Sequence, residues 1–194
     1  MKKTIIILFI FAFSTAVAQD SLKTLDLNRL HIQKTGMEVL GSWAIANIAT
    51  GAVISGNTNG QAKYFYQMNA LWNIANLGAA VSGYIGSKKY GGLTLTAAEA
   101  VKQQKRIETI FLVNGSLDVL YISGGIYLNH RGIVNNSDKL KGYGSSIILQ
   151  GAFLLLFDGT MYTSEKHNGK KLRDFLQRNP VLFDGKKIGM LISL

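Results

Sequence analysis

The residues of this chain best placed to do chemistry are two aspartates, Asp118 and Asp158, each set in a run that is otherwise apolar or small ("FLVNGSLDVLYISGG" and "ILQGAFLLLFDGT"). A carboxylate at the centre of a membrane span costs on the order of 2.5 to 3.5 kcal/mol, so it faces the bundle interior and is functional by default. An aspartate that accepts hydrogen bonds from asparagines can instead be purely architectural, and Asp158 lies near the end of its run, where the cost falls. Amides surround the pair. Asn69, Asn73 and Asn76 are spaced by four and three residues, which places them on one helix face. Asn114 stands four residues before Asp118, Asn47 closes the run "GSWAIAN", and Gln150 lies in the same run as Asp158. Together Asn47, Asn69, Asn73, Asn76, Asn114, Asp118, Gln150 and Asp158 form a candidate polar seam. Gly125, Gly144 and Gly151 are candidate packing positions, because small residues let helix backbones approach closely in lipid.

Other chemistry is sparse. The three histidines, His31, His130 and His167, are far apart in sequence and outside the apolar runs, so they suggest neither a metal site nor a haem ligand pair. The chain has no Cys, hence no disulfide, thiolate metal site or thiol nucleophile. No base, nucleophile or ligand set converges, which disfavours an enzyme and implies no metal and no cofactor.

The elements that must position the seam are four apolar segments over residues 36–55, 65–86, 107–128 and 142–162, each close to the ~20 residues that cross a ~30 Å hydrocarbon layer as a helix. The first, with Glu38, Ser42 and Asn47, is the weakest span. A soluble helical bundle is the competing reading, since mean hydropathy is only +0.16. Against it, the segments lack the broad charged face of a soluble amphipathic helix, and glycine is frequent in them. Thr96-Ala97-Ala98-Glu99 fits a capping box, so a helix starting there runs into the third span and projects beyond the bilayer. "WAIAN" and "WNIAN" recur 29 residues apart, a short repeat consistent with a pseudo-twofold pair of helices or with coincidence.

"MKKTIIILFIFAFSTAVAQD" has a charged start, an apolar stretch and a small-x-small site in the order of a cleavable export signal, while an uncleaved membrane anchor, the alternative, is disfavoured because the apolar run is short of the ~20 residues of a span. The expected organisation is a signal peptide over 1–18, a short N-terminal segment over 19–35, a four-helix transmembrane domain over 36–162 and a basic tail over 163–194. Within that tail Leu172, Phe175 and Leu176 share one side of a short basic helix suited to a membrane surface, with a solvated charged tail as the alternative. Apolar runs on either side of Asp184-Gly185 suggest a hairpin.

The net charge of +10 does not indicate nucleic acid, because the basic residues flank apolar runs instead of forming a stripe with aromatics. After the signal, 15 of 19 Lys and Arg fall on one side of a four-span bundle. The positive-inside rule places that side in the cytoplasm, whereas a cleaved signal places it outside. The two rules give opposite orientations.

"GMEVLGSWAIAN", "YFYQMNALWNIAN", "VNGSLDVLYISGG" and "GYGSSIILQGAFLLLFD" together resemble an uncharacterised family of small bacterial four-helix integral membrane proteins. The resemblance covers roughly residues 36–162 and implies the architecture without an activity. The expected protein is thus all-α, a polytopic four-helix transmembrane bundle of the bacterial inner membrane behind a cleavable signal. Its expected function is non-enzymatic, with a polar seam that packs helices or binds a partner. The alternative is a small transporter or ion-conducting subunit using intramembrane Asp and Asn. Its partners are the lipid bilayer and, further, a membrane protein or a second copy of itself.

Overall fold

The computed structural model describes residues 2–91, 93–179, 181–183 and 188–190, with the backbone alone for 2–19 and for the two strands. Four long helices carry the fold: α1 (Lys2–Gly56), α2 (Gly60–Tyr90), α3 (Ala97–Val134) and α4 (Asp138–Arg178). Two three-residue turns, 57–59 and 135–137, fold them into antiparallel hairpins. α1 packs along α2 and α3 along α4, while α4 also lies against α2 and, over a shorter length, α1.

The helices begin and end where local chemistry dictates. The Thr96 side chain accepts from the Glu99 backbone N–H, and the Glu99 carboxylate accepts from the Thr96 N–H, so the capping box starts α3. The Ser137 hydroxyl accepts from the Leu140 N–H and starts α4. The chain's single proline, Pro180, lies just past the end of α4 at Arg178, and nothing between Tyr162 and Arg178 forbids a helix.

The buried stripes recur every seven residues. On α3 they are Gln104, Phe111, Asp118, Gly125 and Gly132, and on α4 Gly144, Gly151, Asp158, Glu165 and Leu172. A seven-residue repeat keeps one seam of each helix facing its neighbour, as in left-handed coiled coils. Inside the apolar region those stripes are small or polar except at Phe111, and many of the large apolar residues turn outward. Leu71, Ile74, Val81 and Ile85 on α2, Leu112, Leu120 and Ile126 on α3, and Leu156 on α4 are all exposed, Leu156 by 74%. Asn73, Ser146 and Gln150 are 0% exposed. This is the reverse of a protein that meets water along its whole surface.

Among the described residues, three helices are long and apolar enough to cross a membrane, over Asp20–Gly56, Ala97–Val134 and Asp138–Arg178. The first segment, expected to be the weakest span, is among them. α2 is not. Its buried face carries Asn69, Asn73, Asn76 and Ser87, which lower its hydropathy although its outer face is apolar.

Two regions expected outside the bundle are continuous with it. Residues 20–35 belong to α1, and α4 runs through to Arg178. Leu172 and Leu176, expected on a membrane surface, are buried with Leu22 and Ala100 in a second small core. α1, α3 and α4 therefore project together as a stalk on one side of the apolar region, whereas the other side ends in the two short turns. β1 (Val181–Phe183) and β2 (Ile188–Met190) pair antiparallel, with Val181 opposite Met190. The hairpin turn expected at Asp184-Gly185 lies outside the described residues, as do the side chains of the expected export signal, whose backbone is the first part of α1.

Candidate functional site

The expected seam resolves into two polar clusters on two faces of α4. On the face toward α1 and α2, Gln150 is the hub. Its Nε2 donates to Asn69 Oδ1 at 2.8 Å and at the limit of reach to Asn47 Oδ1 at 3.5 Å, while its Oε1 accepts from the Trp43 indole at 2.9 Å. Ser146, one turn earlier, donates to the same Asn69 Oδ1 at 2.7 Å. Asn73 donates to the Asn69 carbonyl at 2.8 Å, and Asn76 to Asn73 Oδ1 at 3.2 Å. Trp43 also lies flat on Phe153 of α4, 3.9 Å between ring centroids. Asn47, Asn69, Asn73, Asn76 and Gln150 thus share one network that ties three helices.

On the face toward α3, Asp158 meets Asp118, and the two side chains face each other. Two carboxylates offer only acceptors, so a proton or a cation must lie between them for the contact to be attractive. Asp118 is 2% exposed and its Oδ2 makes no hydrogen bond to a protein donor. The glycines set this approach. A Cβ on Gly125 would lie 2.9 Å from the Gly144 carbonyl oxygen, one on Gly144 2.6 Å from that of Gly125, and one on Gly151 2.8 Å from Ile122 Cγ1. All three therefore lie where α3 and α4 come nearest.

α2 and α3 stand apart beside this pair, leaving a cavity of about 380 Å³. Its polar lining is Asn76, Asn114, Asp118 and Asp158, and its walls include Leu40, Phe111, Leu117 and Phe157. Asn114 lines this space and makes no side-chain hydrogen bond among the described residues. Trp72 meets Tyr121 edge-on at 5.0 Å and bridges α2 to α3 beside Asp118. Asn76 belongs to both clusters and joins them.

A third buried polar group, not foreseen from the sequence, lies in the stalk. Gln104 Nε2 donates to the Glu165 carboxylate at 3.1 Å and to its backbone carbonyl at 2.8 Å, and Asn168 donates to Gln104 Oε1 at 2.9 Å. Glu165 is fully buried. Burial pushes its carboxyl from the ordinary 4.5 up to about 7, against the lowering pull of the Gln104 hydrogen bond, the Arg29 guanidinium and the nearby Gln33 amide. The signal was present in the sequence, because Glu165 continues the seven-residue step of Gly144, Gly151 and Asp158. Trp43 and Ser146 are the other missed members; neither residue type by itself announces a hydrogen bond inside a bundle.

The histidines stay apart on three helices and are exposed, and no cluster of three metal-ligating side chains occurs among the described residues. No curated protein and no solved structure matches the chain. Residues 39–159, which hold both polar clusters on the faces of α4 and leave out most of the stalk, match a family of unknown function, DUF6992, and the chain belongs to that family.

Proposed function

We propose that this is an exported, multi-pass protein of the bacterial inner membrane, in which all four helices span and the Gln150–Asn69 network holds them as a non-enzymatic scaffold for a membrane partner or a second copy. The observation that carries the reading is the inverted distribution of side chains, with amides at 0% exposure inside and leucine at 74% outside. The apolar outer face of α2, with Leu71, Ile74, Val81 and Ile85 exposed, supports it as the fourth span despite its asparagines. The charged start, apolar stretch and small-x-small site over 1–18 support entry into that membrane through an export signal. Single cysteines placed in this cysteine-free chain test the reading. Labelling of an Arg178→Cys variant by an impermeant reagent from outside is expected if the signal sets orientation. Protection there, with labelling at Asn136→Cys, would reverse the orientation, and recovery of the chain outside the membrane fraction would overturn the reading altogether.

A second reading has its own support in Asp118, whose Oδ2 has no protein donor and which lines a cavity. In that reading Asp118 and Asp158 carry a cation or proton. Flux in reconstituted vesicles that vanishes in Asp118→Asn and Asp158→Asn, with the bundle intact, would establish it over the scaffold. Loss of helix packing in those variants, with no flux in the native protein, would remove it.

A further inference from the structure

The cavity beside Asp118 does not end within the apolar region. It shares Gly83, Ile107 and Ile110 with a second cavity of about 220 Å³ lined by Arg29, Gln33, Ser87, Gln103 and Arg106. The two form one groove between α2 and α3 with opposite chemistries at its ends. Arg106 immediately precedes the third apolar segment, and Ser87 immediately follows the second, so the polar end lies at the depth of lipid headgroups. Arg29 is 5% exposed and held by Asp26, whose Oδ1 accepts from both Nε and Nη2 at 2.9 and 2.7 Å. Arg106 has no acidic partner among the described residues. Lys34 and Lys88, each over the Tyr84 ring, add positive charge beside the same mouth.

The groove's length fits one hydrocarbon chain. From Arg106 to Asp118 along α3 is about 18 Å at 1.5 Å per residue, a little more than half of a ~30 Å hydrocarbon core. Beyond it the Trp72–Tyr121 contact bridges the two walls. A basic mouth at headgroup depth, an apolar channel one leaflet deep and a bridged inner end describe a site for a molecule with an anion at one end and an alkyl chain behind it.

We propose that the α2–α3 groove binds one anionic phospholipid, its phosphate on Arg106 beside Arg29 and one acyl chain running along Gly83, Ile110 and Phe111 toward Asp118. The bound chain completes the bundle where α2 and α3 fail to meet, and its end shields the carboxyl pair from water. This rests on the membrane-embedded reading above.

The test is native mass spectrometry of the full chain released from nanodiscs made of equal parts phosphatidylglycerol and phosphatidylcholine with identical acyl chains. The native protein is expected to retain a single phosphatidylglycerol, favoured over phosphatidylcholine by about tenfold, the effect of one charge-assisted contact in a shielded site. Arg106→Gln is expected to reduce the preference to about twofold. Ala79→Trp fills the groove from an exposed position on α2 and is expected to abolish retention of either lipid at an unchanged helical content. Equal retention of the two lipids by the native chain overturns the proposal, as does unchanged phosphatidylglycerol retention in both variants. A chain that fractionates with membranes yet retains no phosphatidylglycerol overturns the lipid site alone, whereas a chain absent from the membrane fraction overturns the membrane reading with it.

Discussion

The two faces of α4 solve the same problem in opposite ways. Toward α1 and α2, Ser146 and Gln150 meet amides, groups that donate and accept at once, so each bond leaves a further group to make the next. Toward α3, Asp158 meets Asp118, two groups that only accept unless a proton joins them, and beside them lies open space. Amides close a network from within the protein. Carboxyls call for something from outside it, whether a proton, a cation or a covering molecule. The first cluster is thereby suited to holding helices together and the second to responding.

The comparison can be broken most severely at the glycines. Gly144→Leu places a side chain against the Asn129 backbone and the Gly125 carbonyl, so it is expected to separate α3 from α4 and cost about 3 kcal/mol or more. Reversible unfolding in mixed micelles would measure it, and native-like stability would show that the helices do not meet there. Gln150→Leu comes next. It strands the donor of Trp43 and leaves Asn69 Oδ1 to Ser146 alone, an expected loss of about 2 kcal/mol. A loss below about 0.5 kcal/mol in the same assay would mean that the amide cluster is passive filler.

Asp118→Asn is expected to lie near zero, within about 1 kcal/mol, or to stabilise, because an amide can donate to Asp158 where a carboxylate cannot. Marked destabilisation by this change would make the carboxyl pair architectural and erase the contrast between the faces. The stalk contributes a pH dependence. Glu165 holds its proton up to about pH 7 when folded, whereas an ordinary carboxyl loses it near 4.5. The folded state thus binds more protons across that window, and stability should fall as pH rises from about 4.5 to about 7. The groups facing Glu165 are Gln104 and Glu108 of α3 and Arg29 and Gln33 of α1, with Arg173 bridging Glu108 at 3.5 Å. Glu165→Gln should flatten the slope in pH-dependent melting, and an unchanged slope would assign it to another group.

Periodicity made much of this legible in the sequence. The spacing of Asn69, Asn73 and Asn76 gave the face of α2 that is buried, and Gly144, Gly151 and Asp158 gave the face of α4. Thr96 and Glu99 marked the start of α3 because capping chemistry is local. What stayed hidden depends on partners distant in sequence. Nothing in "GYGSSIILQ" says that Ser146 and Gln150 turn to α2 while Gly144 turns to α3. The stalk was missed because Lys166, Lys170 and Lys171 gave the region the look of a solvated tail, and they masked the same seven-residue step continuing through Glu165 to Leu172. α2 was read as an ordinary span because its apolar count conceals how much its hydropathy suffers from three asparagines.

The hub at Gln150 also has a consequence in time. Ribosomes make the chain from its N-terminus, and Asn69 Oδ1 acquires its two donors, Ser146 and Gln150, from 77 and 81 positions later. Until those residues emerge, Asn69 Oδ1 has no side-chain donor, and the hydrogen bonds of Asn73 and Asn76 lie within α2 itself. The helix with the most buried asparagines is therefore secured only once α4 is made, and the order of synthesis makes α4 the keystone of assembly.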